Sequence, residues 1–290
     1  MKRLESIAVT LTGPGSQPLE RDGAQLDFIP LPKEMSRYRA PDIPEPEQVR
    51  HLRGAKAVTR WVENALAGYP GDGAPLIADI SALDADNRAL VNQILGEGEV
   101  SLRYDGDTAR VRMQESVLAG IWRTFYLDEA DRILRDLIEV CDVPVLARRV
   151  PDATRVSELA PDAAPGGVMN ALPILSELRD RVAAWKPGAP AHVINLTLLP
   201  LSEDDARFLG ETLGTGPVET LSRGYGDCKI TSTGYPGIWW VKYTNSMGTL
   251  ILNTIEVTDI PAVACAARED LEDSRRRFGE LLEPYWNELS

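Results

Sequence analysis

The chain has few of the residues that most metal and disulfide sites require. Among its 290 residues there are three cysteines and two histidines. The cysteines, Cys141, Cys228 and Cys265, are odd in number, and two histidines are too few for a His-rich zinc site. No stretch approaches the roughly 18 unbroken apolar residues of a membrane-spanning helix. The sequence therefore predicts no disulfide framework, no cofactor and no membrane insertion.

Positive charge is also scarce. The chain carries 31 Lys and Arg against 44 Asp and Glu, which gives a net charge of −13. Phosphate backbones and anionic lipid surfaces would repel such a chain on average, so nucleic acid is not expected as a partner. The first residues, Met1-Lys2-Arg3-Leu4-Glu5, continue into a mixed stretch instead of an apolar signal-peptide region. A cytoplasmic location is predicted.

Short catalytic motifs are missing. The chain has no Walker lysine loop, no Gly-x-Ser-x-Gly turn and no pair of histidines at helical spacing. Two Leu-Gly-x-Gly sequences, beginning at Leu95 and Leu213, each follow a predicted helix and lack the third glycine of a nucleotide-binding loop. This context favours helix-ending turns over phosphate sites. The sequence predicts a protein that is not an enzyme.

Proline divides the chain into regions. Seven prolines fall between residues 13 and 50, and three more precede Gly166-Gly167. Residues 1–46 are therefore predicted to form an extended N-terminal arm and residues 151–170 a linker. The regions 47–150 and 171–290 have the apolar periodicity of packed structure, and the second ends in a predicted helix.

The two packed regions resemble each other. An offset of 117 residues pairs 120–147 with 237–264 without a gap, and ten of these 28 positions are identical. Gly120-Ile121-Trp122, for example, matches Gly237-Ile238-Trp239. An offset of 118 aligns the two Leu-Gly-x-Gly turns. An internal repeat of this kind predicts that one structural unit occurs twice, as a first repeat and a second repeat.

The second repeat shows the order of elements most clearly. Apolar residues three or four apart predict a helix over 171–185, and 193–199 fits a strand. Ser202 and Asp205 resemble a capping box at the start of a helix that runs to Leu213. Further elements are predicted as strands at 218–223, 229–233, 238–243 and 249–257, and as helices at 47–67 and 263–285.

These elements predict an α+β fold. It consists of two copies of a helix-strand-helix-multistrand repeat, with mainly antiparallel sheets and helices packed on one side.

Cys228 is the strongest candidate for thiol chemistry. It follows Gly224-Tyr225-Gly226-Asp227 and precedes Lys229, so a turn and a cation that favours thiolate adjoin it. A buried, inert cysteine is the alternative, and its base rate is higher. Cys265, near the start of the last predicted helix, could gain from the helix dipole, although its alanine neighbours are typical of a core. Cys228 and Cys265 are weak candidates for a metal site.

The acids and tryptophans of the repeat admit two interpretations. Glu139 and Glu256 could form an acid-base pair, but strand-end acids followed by Asp and Pro more often fix a turn. Trp122 and Trp239 are favoured as core residues over a ligand platform.

A protein-binding surface is the remaining site prediction. An exposed Trp240 beside Tyr243 would suit an interface. His51 and His192 have no acidic or thiol neighbour in sequence and are interpreted as structural or solvent-facing. The candidate partner-binding residues are Tyr225, Asp227, Cys228, Trp240 and Tyr243.

Several longer segments carry a family resemblance. They are 166–170 (GGVMN), 176–181 (SELRDR), 192–200 (HVINLTLLP), 222–228 (SRGYGDC), 253–257 (NTIEV), 269–274 (EDLEDS) and, in the first repeat, 92–100 (NQILGEGEV) and 115–117 (ESV). Together they resemble the HupH/HyaF hydrogenase expression proteins, some of which are called HoxQ. The likeness covers most of residues 50–290, and that family is similarly built from two copies of one region.

The resemblance implies a maturation factor for nickel-iron uptake hydrogenases. Such a factor acts on the precursor of the iron-sulfur small subunit before twin-arginine export, often beside a thioredoxin-like partner. No catalytic residues are established for the family, so none is carried over. We therefore expect a cytoplasmic, non-enzymatic assembly chaperone. The alternative is a thiol or iron-sulfur carrier that uses Cys228 and Cys265.

Overall fold

A computed structural model describes residues 44–106, 109–148, 159, 164–223 and 226–286. The arm predicted over 1–46 lies almost entirely outside these residues, as does most of the linker predicted over 151–170. Within the described ranges, no helix is both long enough and apolar enough to cross a bilayer.

The described residues form six α-helices and ten strands. The helices are α1 (Pro46–Val49), α2 (Arg53–Gly68), α3 (Ala85–Leu95), α4 (Ala171–Ala184), α5 (Glu203–Leu213) and α6 (Arg268–Trp286). The strands are β1 (Leu76–Asp79), β2 (Val100–Gly106), β3 (Ala109–Glu115), β4 (Ile121–Leu127), β5 (Ile133–Val140), β6 (His192–Asn195), β7 (Val218–Arg223), β8 (Gly226–Ser232), β9 (Ile238–Asn245) and β10 (Leu250–Val257). The fold is α+β, as predicted.

All ten strands belong to one antiparallel sheet, with the order β1-β5-β4-β3-β2-β7-β8-β9-β10-β6. Read outward from the centre, the order is β2-β3-β4-β5-β1 on one side and β7-β8-β9-β10-β6 on the other. The two halves therefore have corresponding strand orders, and they meet where β2 pairs with β7. The sequence predicts mainly antiparallel sheets; the pairing is antiparallel, but the strands form one sheet and not several. An unpaired edge leaves a row of backbone N–H and C=O groups without partners, and pairing two such edges satisfies both rows.

The helices cover one face of this sheet. Ile121 shares a hydrophobic cluster with residues of α2, α3 and α6, and Ile238 shares another with residues of α4 and α5. Neighbouring residues of a strand point to opposite faces, so Trp122 and Trp239 point away from the helices. Directly opposed residues, followed from strand to strand, place both tryptophans on the same face.

This second face carries a third cluster, which we call the central cluster. It gathers inward side chains of β2, β3, β4, β7, β8 and β9, together with residues of the 3-10 turns Val145–Arg148 and Ala262–Ala264. Trp122 and Trp239 are 1% and 4% exposed, which confirms them as core residues.

Equivalent glycines shape the turns of the two halves. Gly120 and Gly237, each at the start of a strand, have φ angles of 82° and 65°, a region that favours glycine. Gly98 and Gly216 pass so close to a neighbouring strand end that a Cβ atom would lie 2.2 Å and 2.3 Å from a backbone oxygen. The identical glycines of the repeat therefore satisfy the same steric constraint in each half.

Several element boundaries differ from the sequence predictions, and three of them differ most. The helix predicted over 47–67 is interrupted between α1 and α2. The strand predicted over 193–199 ends at Asn195, because the side chain of Asn195 accepts a hydrogen bond from Thr197 N and caps a 3-10 turn. The last helix begins at Arg268, and Pro284 lies inside it, two residues before its end.

The last helix crosses to the other half of the molecule. Phe278, Leu282 and Tyr285 of α6 belong to the cluster of α2 and α3, in the first half. In the opposite direction, Leu159 follows the first half in sequence and is buried in the cluster of α4 and α5. Each half thus receives apolar side chains from the segment that follows the other.

Candidate functional site

The predicted partner-binding residues lie on two faces of the sheet. Cys228 and Tyr243 are directly opposed on β8 and β9 and point into the central cluster. Asp227 and Trp240 point to the helix-covered face, where Trp240 packs against the cluster of α4 and α5. Tyr225 lies outside the described residues. Trp240 and Tyr243 therefore do not share one aromatic surface.

The thiol of Cys228 is buried and paired with a phenol. Burial raises its pKa, although the hydrogen bond with the Tyr243 hydroxyl acts in the opposite direction. Burial, the nearby Cys228 and their hydrogen bond also raise the pKa of Tyr243. Since Cys228 is 6% exposed and its thiolate is disfavoured at neutral pH, the geometry favours a packing role over a nucleophilic one.

Cys265 is half-buried between two charged residues. Its Sγ lies 4.0 Å from Nη2 of Arg148. Burial raises the pKa of the Cys265 thiol to about 11; the charge of Asp142 adds to this rise and Arg148 opposes it. Cys265 also precedes α6 instead of lying in its first turn. The helix dipole therefore stabilises its thiolate less than the sequence led us to expect.

A polar network that sequence reasoning missed surrounds this thiol. The Tyr69 hydroxyl donates to Oδ1 of Asp142 at 2.9 Å, and Arg148 Nη2 donates to Oδ2 of Asp142 at 2.5 Å. The carbonyl of Asp142 accepts from Ala266 N at 2.9 Å. Burial is the main cause that raises the pKa of Tyr69 to about 12. The network ties the end of α2 to the turn after β5 and to the segment before α6.

One sequence signal pointed toward this network. Asp142 is identical in the repeat, where it corresponds to Asp259, whose carboxylate accepts from Gly188 N at 2.6 Å. The partners differ between the halves and lie 73 and 71 residues away along the chain. The repeat could therefore mark the acids as structural without revealing what they bind.

Glu139 and Glu256 are kept apart by the sheet. Six strands lie between β5 and β10, which carry them. Glu139 is buried, accepts from Thr124 Oγ1 at 2.6 Å and accepts from Val145 N at 3.4 Å in the following turn. Burial raises the pKa of Glu256. These contacts agree with the turn-fixing interpretation of Glu139 and not with an acid-base pair.

Histidine and metal ligands do not converge among the described residues. His51 is exposed, whereas Nε2 of His192 lies 2.7 Å from Oε1 of Glu177. His192 thus has an acidic partner that its sequence neighbours did not indicate. In the described ranges, no three His, Cys, Asp or Glu side chains are arranged to hold a metal ion.

Exposed apolar side chains occur at corresponding hairpins of the two halves. Ile133 and Leu134 begin β5, and Leu250 and Ile251 begin β10, at the same offset of 117 residues. Their exposures range from 45% to 63%. We call these two pairs the hairpin ridges. Beside the second ridge, in the turn between β9 and β10, Met247 is also exposed. Exposed apolar groups that lie together are typical of interaction surfaces.

Comparison with known proteins identifies a family whose sequences match this chain. The family model described as "HupH hydrogenase expression protein, C-terminal conserved region" matches residues 54–159 and 168–285. The chain is 47% identical to the hydrogenase expression/formation protein HoxQ of Cupriavidus necator, across 95% of this chain and 96% of that protein. It is 38% identical to HupH of Rhizobium leguminosarum bv. viciae, across 92% and 96% of the two chains.

More distant relatives match as well. The hydrogenase-1 operon protein HyaF of Escherichia coli K12 is 33% identical, across 93% of this chain and 94% of that one. A solved structure of the hydrogenase expression protein HupH from Thiobacillus denitrificans is 31% identical and covers 39% of this chain and 93% of its own, with a TM-score of 0.36. That score is too low for the structure to support an argument about this fold.

Proposed function

Because the chain belongs to the family of HupH hydrogenase expression proteins, we propose that it is an assembly chaperone for a nickel-iron uptake hydrogenase. In this proposal the chain is not an enzyme. It binds the precursor of the iron-sulfur small subunit in the cytoplasm, before twin-arginine export, and a thioredoxin-like protein acts beside it.

Family membership over nearly the whole chain is the observation that carries this proposal. Relatives between 33% and 47% identical are named hydrogenase expression, formation or operon proteins. The matches cover both halves of the sheet and include α6 almost to its end. A role in hydrogenase maturation is therefore supported for the whole described fold and not for one half of it.

Charge and apolar exposure support a binding role. A twin-arginine precursor carries a basic segment, and a chain with a net charge of −13 attracts such a segment over a distance. The hairpin ridges offer apolar contacts at matching positions of the two halves. We propose that the ridges contact apolar surface of the unfinished subunit.

Co-purification tests this proposal. Tagged chain from hydrogenase-expressing cells should enrich the small-subunit precursor over the mature subunit. Single substitutions Leu134→Asp and Ile251→Asp should reduce that enrichment, because each places a charge on a ridge. Val263→Asp is the control, since Val263 is exposed but lies outside the ridges. Equal recovery of precursor and mature subunit would contradict the proposal.

The thiol or metal carrier is the competing function. Its supporting observation is that Cys228 belongs to the central cluster and Cys265 packs against that cluster. The raised pKa values of both thiols weigh against it, since metal binding requires thiolate. Anaerobic purification and metal analysis of the chain, compared with Cys228→Ser/Cys265→Ser, separate the two functions. Bound metal that disappears in the double variant would favour the carrier.

A further inference from the structure

Among the described residues, the helices pack against the two ends of the sheet and not against its central strands. Helix α2 contacts β1 and β5 at one end of the strand order, and α4 contacts β10 near the other. The four central strands, β3, β2, β7 and β8, lie between these helical layers. We call their helix-side face the central floor. Its charged residues are Arg103, Asp105, Arg110, Arg112, Glu219, Arg223, Asp227 and Lys229.

Strand register places these residues on one face. Arg103 is directly opposed to Arg112 on one side and to Glu219 on the other. Glu219 is opposed to Thr231, and Thr231 to Trp240, which packs against the helices. The alternate residues of the same strands, such as Val111 and Ile230, are buried in the central cluster. The floor residues themselves are partly or largely exposed.

The central floor reverses the charge of the rest of the molecule. It holds five cations and three carboxylates, a net charge of 5 − 3 = +2, whereas the whole chain carries −13. An excess of cations on one face of so acidic a chain marks that face as electrostatically distinct.

The ion pairs within the floor do not fully neutralise its cations. Glu219 is shared by Lys229 at 2.9 Å and Arg103 at 3.3 Å, and Asp105 is shared by Arg112 at 2.7 Å and, more weakly, by Arg103 and Arg110. Asp105 and Glu219 therefore each serve at least two cations, whereas Asp227 holds no ion pair among the described residues and Arg110 also pairs with Asp131, outside the floor, at 3.0 Å.

Arg223 has no carboxylate within ion-pair distance among the described residues, although Asp227 is its cross-strand neighbour. No hydrogen bond from its guanidinium to a described residue is present, so its five N–H donors can serve another partner. At 27% to 31%, the exposures of Arg103, Arg112 and Lys229 leave these side chains partly accessible as well.

We propose that the central floor binds an acidic segment of a partner polypeptide. Guanidinium groups bind carboxylates through two parallel hydrogen bonds, so a row of arginines selects Asp and Glu side chains. The repulsion that a −13 chain exerts on acidic partners elsewhere directs such a segment to this one face.

The dimensions of the floor suit a single segment. Four adjacent strands at ~4.8 Å spacing measure about 14 Å from β3 to β8. An α-helix with its side chains is about 10 to 12 Å wide, and an extended chain is narrower. One segment therefore fits between the helical layers, whereas a folded domain would have to stand above them.

Fluorescence anisotropy with labelled peptides tests the proposal. The probe is a fluorescein-labelled peptide of alternating Glu and Ala, about eight residues long, enough to cover a strand at ~3.3 Å per residue. A Lys-Ala peptide of the same length is its counterpart. The full chain should bind the Glu peptide more tightly than the Lys peptide, and added salt should weaken the binding.

Variants locate the binding. Arg112→Gln/Arg223→Gln should weaken Glu-peptide binding roughly tenfold, whereas Arg276→Gln/Arg277→Gln, an equal charge change on exposed α6 residues, should have little effect. Arg223→Gln alone should weaken binding several-fold without affecting folding, because Arg223 holds no ion pair with any residue that the structure describes. Unchanged affinity in both floor variants, or tighter binding of the Lys peptide, would overturn the proposal. The test uses no hydrogenase subunit, so its result is independent of the proposed chaperone function.

Discussion

Asp205 and Asn87 occupy corresponding positions in the two halves, and each binds the first turn of a different helix. Asp205, in α5, accepts hydrogen bonds from the N–H groups of Met169, Asn170 and Ala171 at the start of α4. Asn87, in α3, accepts one from Ala55 N near the start of α2 at 2.7 Å. Helix α5 thus caps α4 with a carboxylate, and α3 binds the first turn of α2 with an amide.

Removing the Asp205 carboxylate should destabilise the fold strongly. Its second oxygen also accepts from Ser202 N and Oγ, which completes the predicted capping box. Asp205→Ala leaves several buried donors without a partner, so we expect the free energy of unfolding to fall by about 3 kcal/mol or more. Urea denaturation measures this. Glu203→Ala, an exposed acid of the same first turn, should cost less than about 1 kcal/mol, and an equal loss in both variants would contradict the capping role.

The Asp205 carboxylate should also make the stability of the fold depend on pH in the acid range. Burial alone would raise its pKa, but hydrogen bonds from Ser202, Ala171 and Met169 outweigh burial and lower the pKa to about 2. A carboxyl whose folded pKa is below its unfolded value stabilises the fold above the unfolded pKa, near 4, and loses that contribution as pH falls toward 2. Urea midpoints recorded from pH 6 downward should therefore fall more steeply for the parent chain than for Asp205→Asn.

Glu115 should change stability with pH in the direction opposite to Asp205. It is buried, and despite a hydrogen bond from Gly120 N, burial raises its pKa to about 7. The folded state then holds a proton that the unfolded state releases near pH 4.5, so stability falls as pH rises from about 4.5 to 7. The full effect is at most about 3 kcal/mol. Glu115→Gln should remove this fall, and an unchanged pH profile would rule out a proton on Glu115.

Substitution by alanine should change the stability of the fold in opposite directions at two glycines. At Gly98 a Cβ atom would lie 2.2 Å from the backbone oxygen of Ser116, so Gly98→Ala must displace the chain. Gly210 lies inside α5 with open space around its Cβ position. Gly98→Ala should lower the thermal midpoint, whereas Gly210→Ala should stabilise by about 0.5 to 1 kcal/mol because alanine favours helix. Calorimetry of both variants checks the difference.

A buried ion pair of the first half has a neutral counterpart in the second. Arg123 donates to Asp136 at 2.6 Å, and at the corresponding positions Trp240 donates to Asn253 at 2.5 Å. Asp136→Asn alone should cost about 3 to 5 kcal/mol, because it leaves the Arg123 charge buried. Arg123→Trp/Asp136→Asn, which copies the second half, should cost less than this. A double-variant loss equal to the sum of the single losses would show that the pair is not coupled.

Local patterns predicted much of this fold. The capping box gave the start of α5, the strands predicted at 218–223, 229–233, 238–243 and 249–257 correspond to β7 to β10, and the repeated glycines marked the turns. The pairing of β2 with β7 was not predictable, because the apolar patterns of two strands do not say which edges meet.

The candidate site was harder to predict than the fold. Trp240 and Tyr243 are three residues apart on β9, so the alternation of side chains along a strand already placed them on opposite faces. Tyr69 and Asp142 are 73 residues apart, and no local pattern joins them. The central floor became visible only when strand order brought charged residues of four strands together.

The exchange of buried segments between the halves has a consequence for how the chain folds. Phe278 and Leu282 complete the core against α2, so the first half cannot close until residues more than 200 positions later have left the ribosome. Contacts this distant in sequence slow folding, and a chain released before α6 should remain sensitive to protease throughout α2 and α3. During synthesis, therefore, the apolar faces of α2 and α3 should stay exposed until α6 has been made.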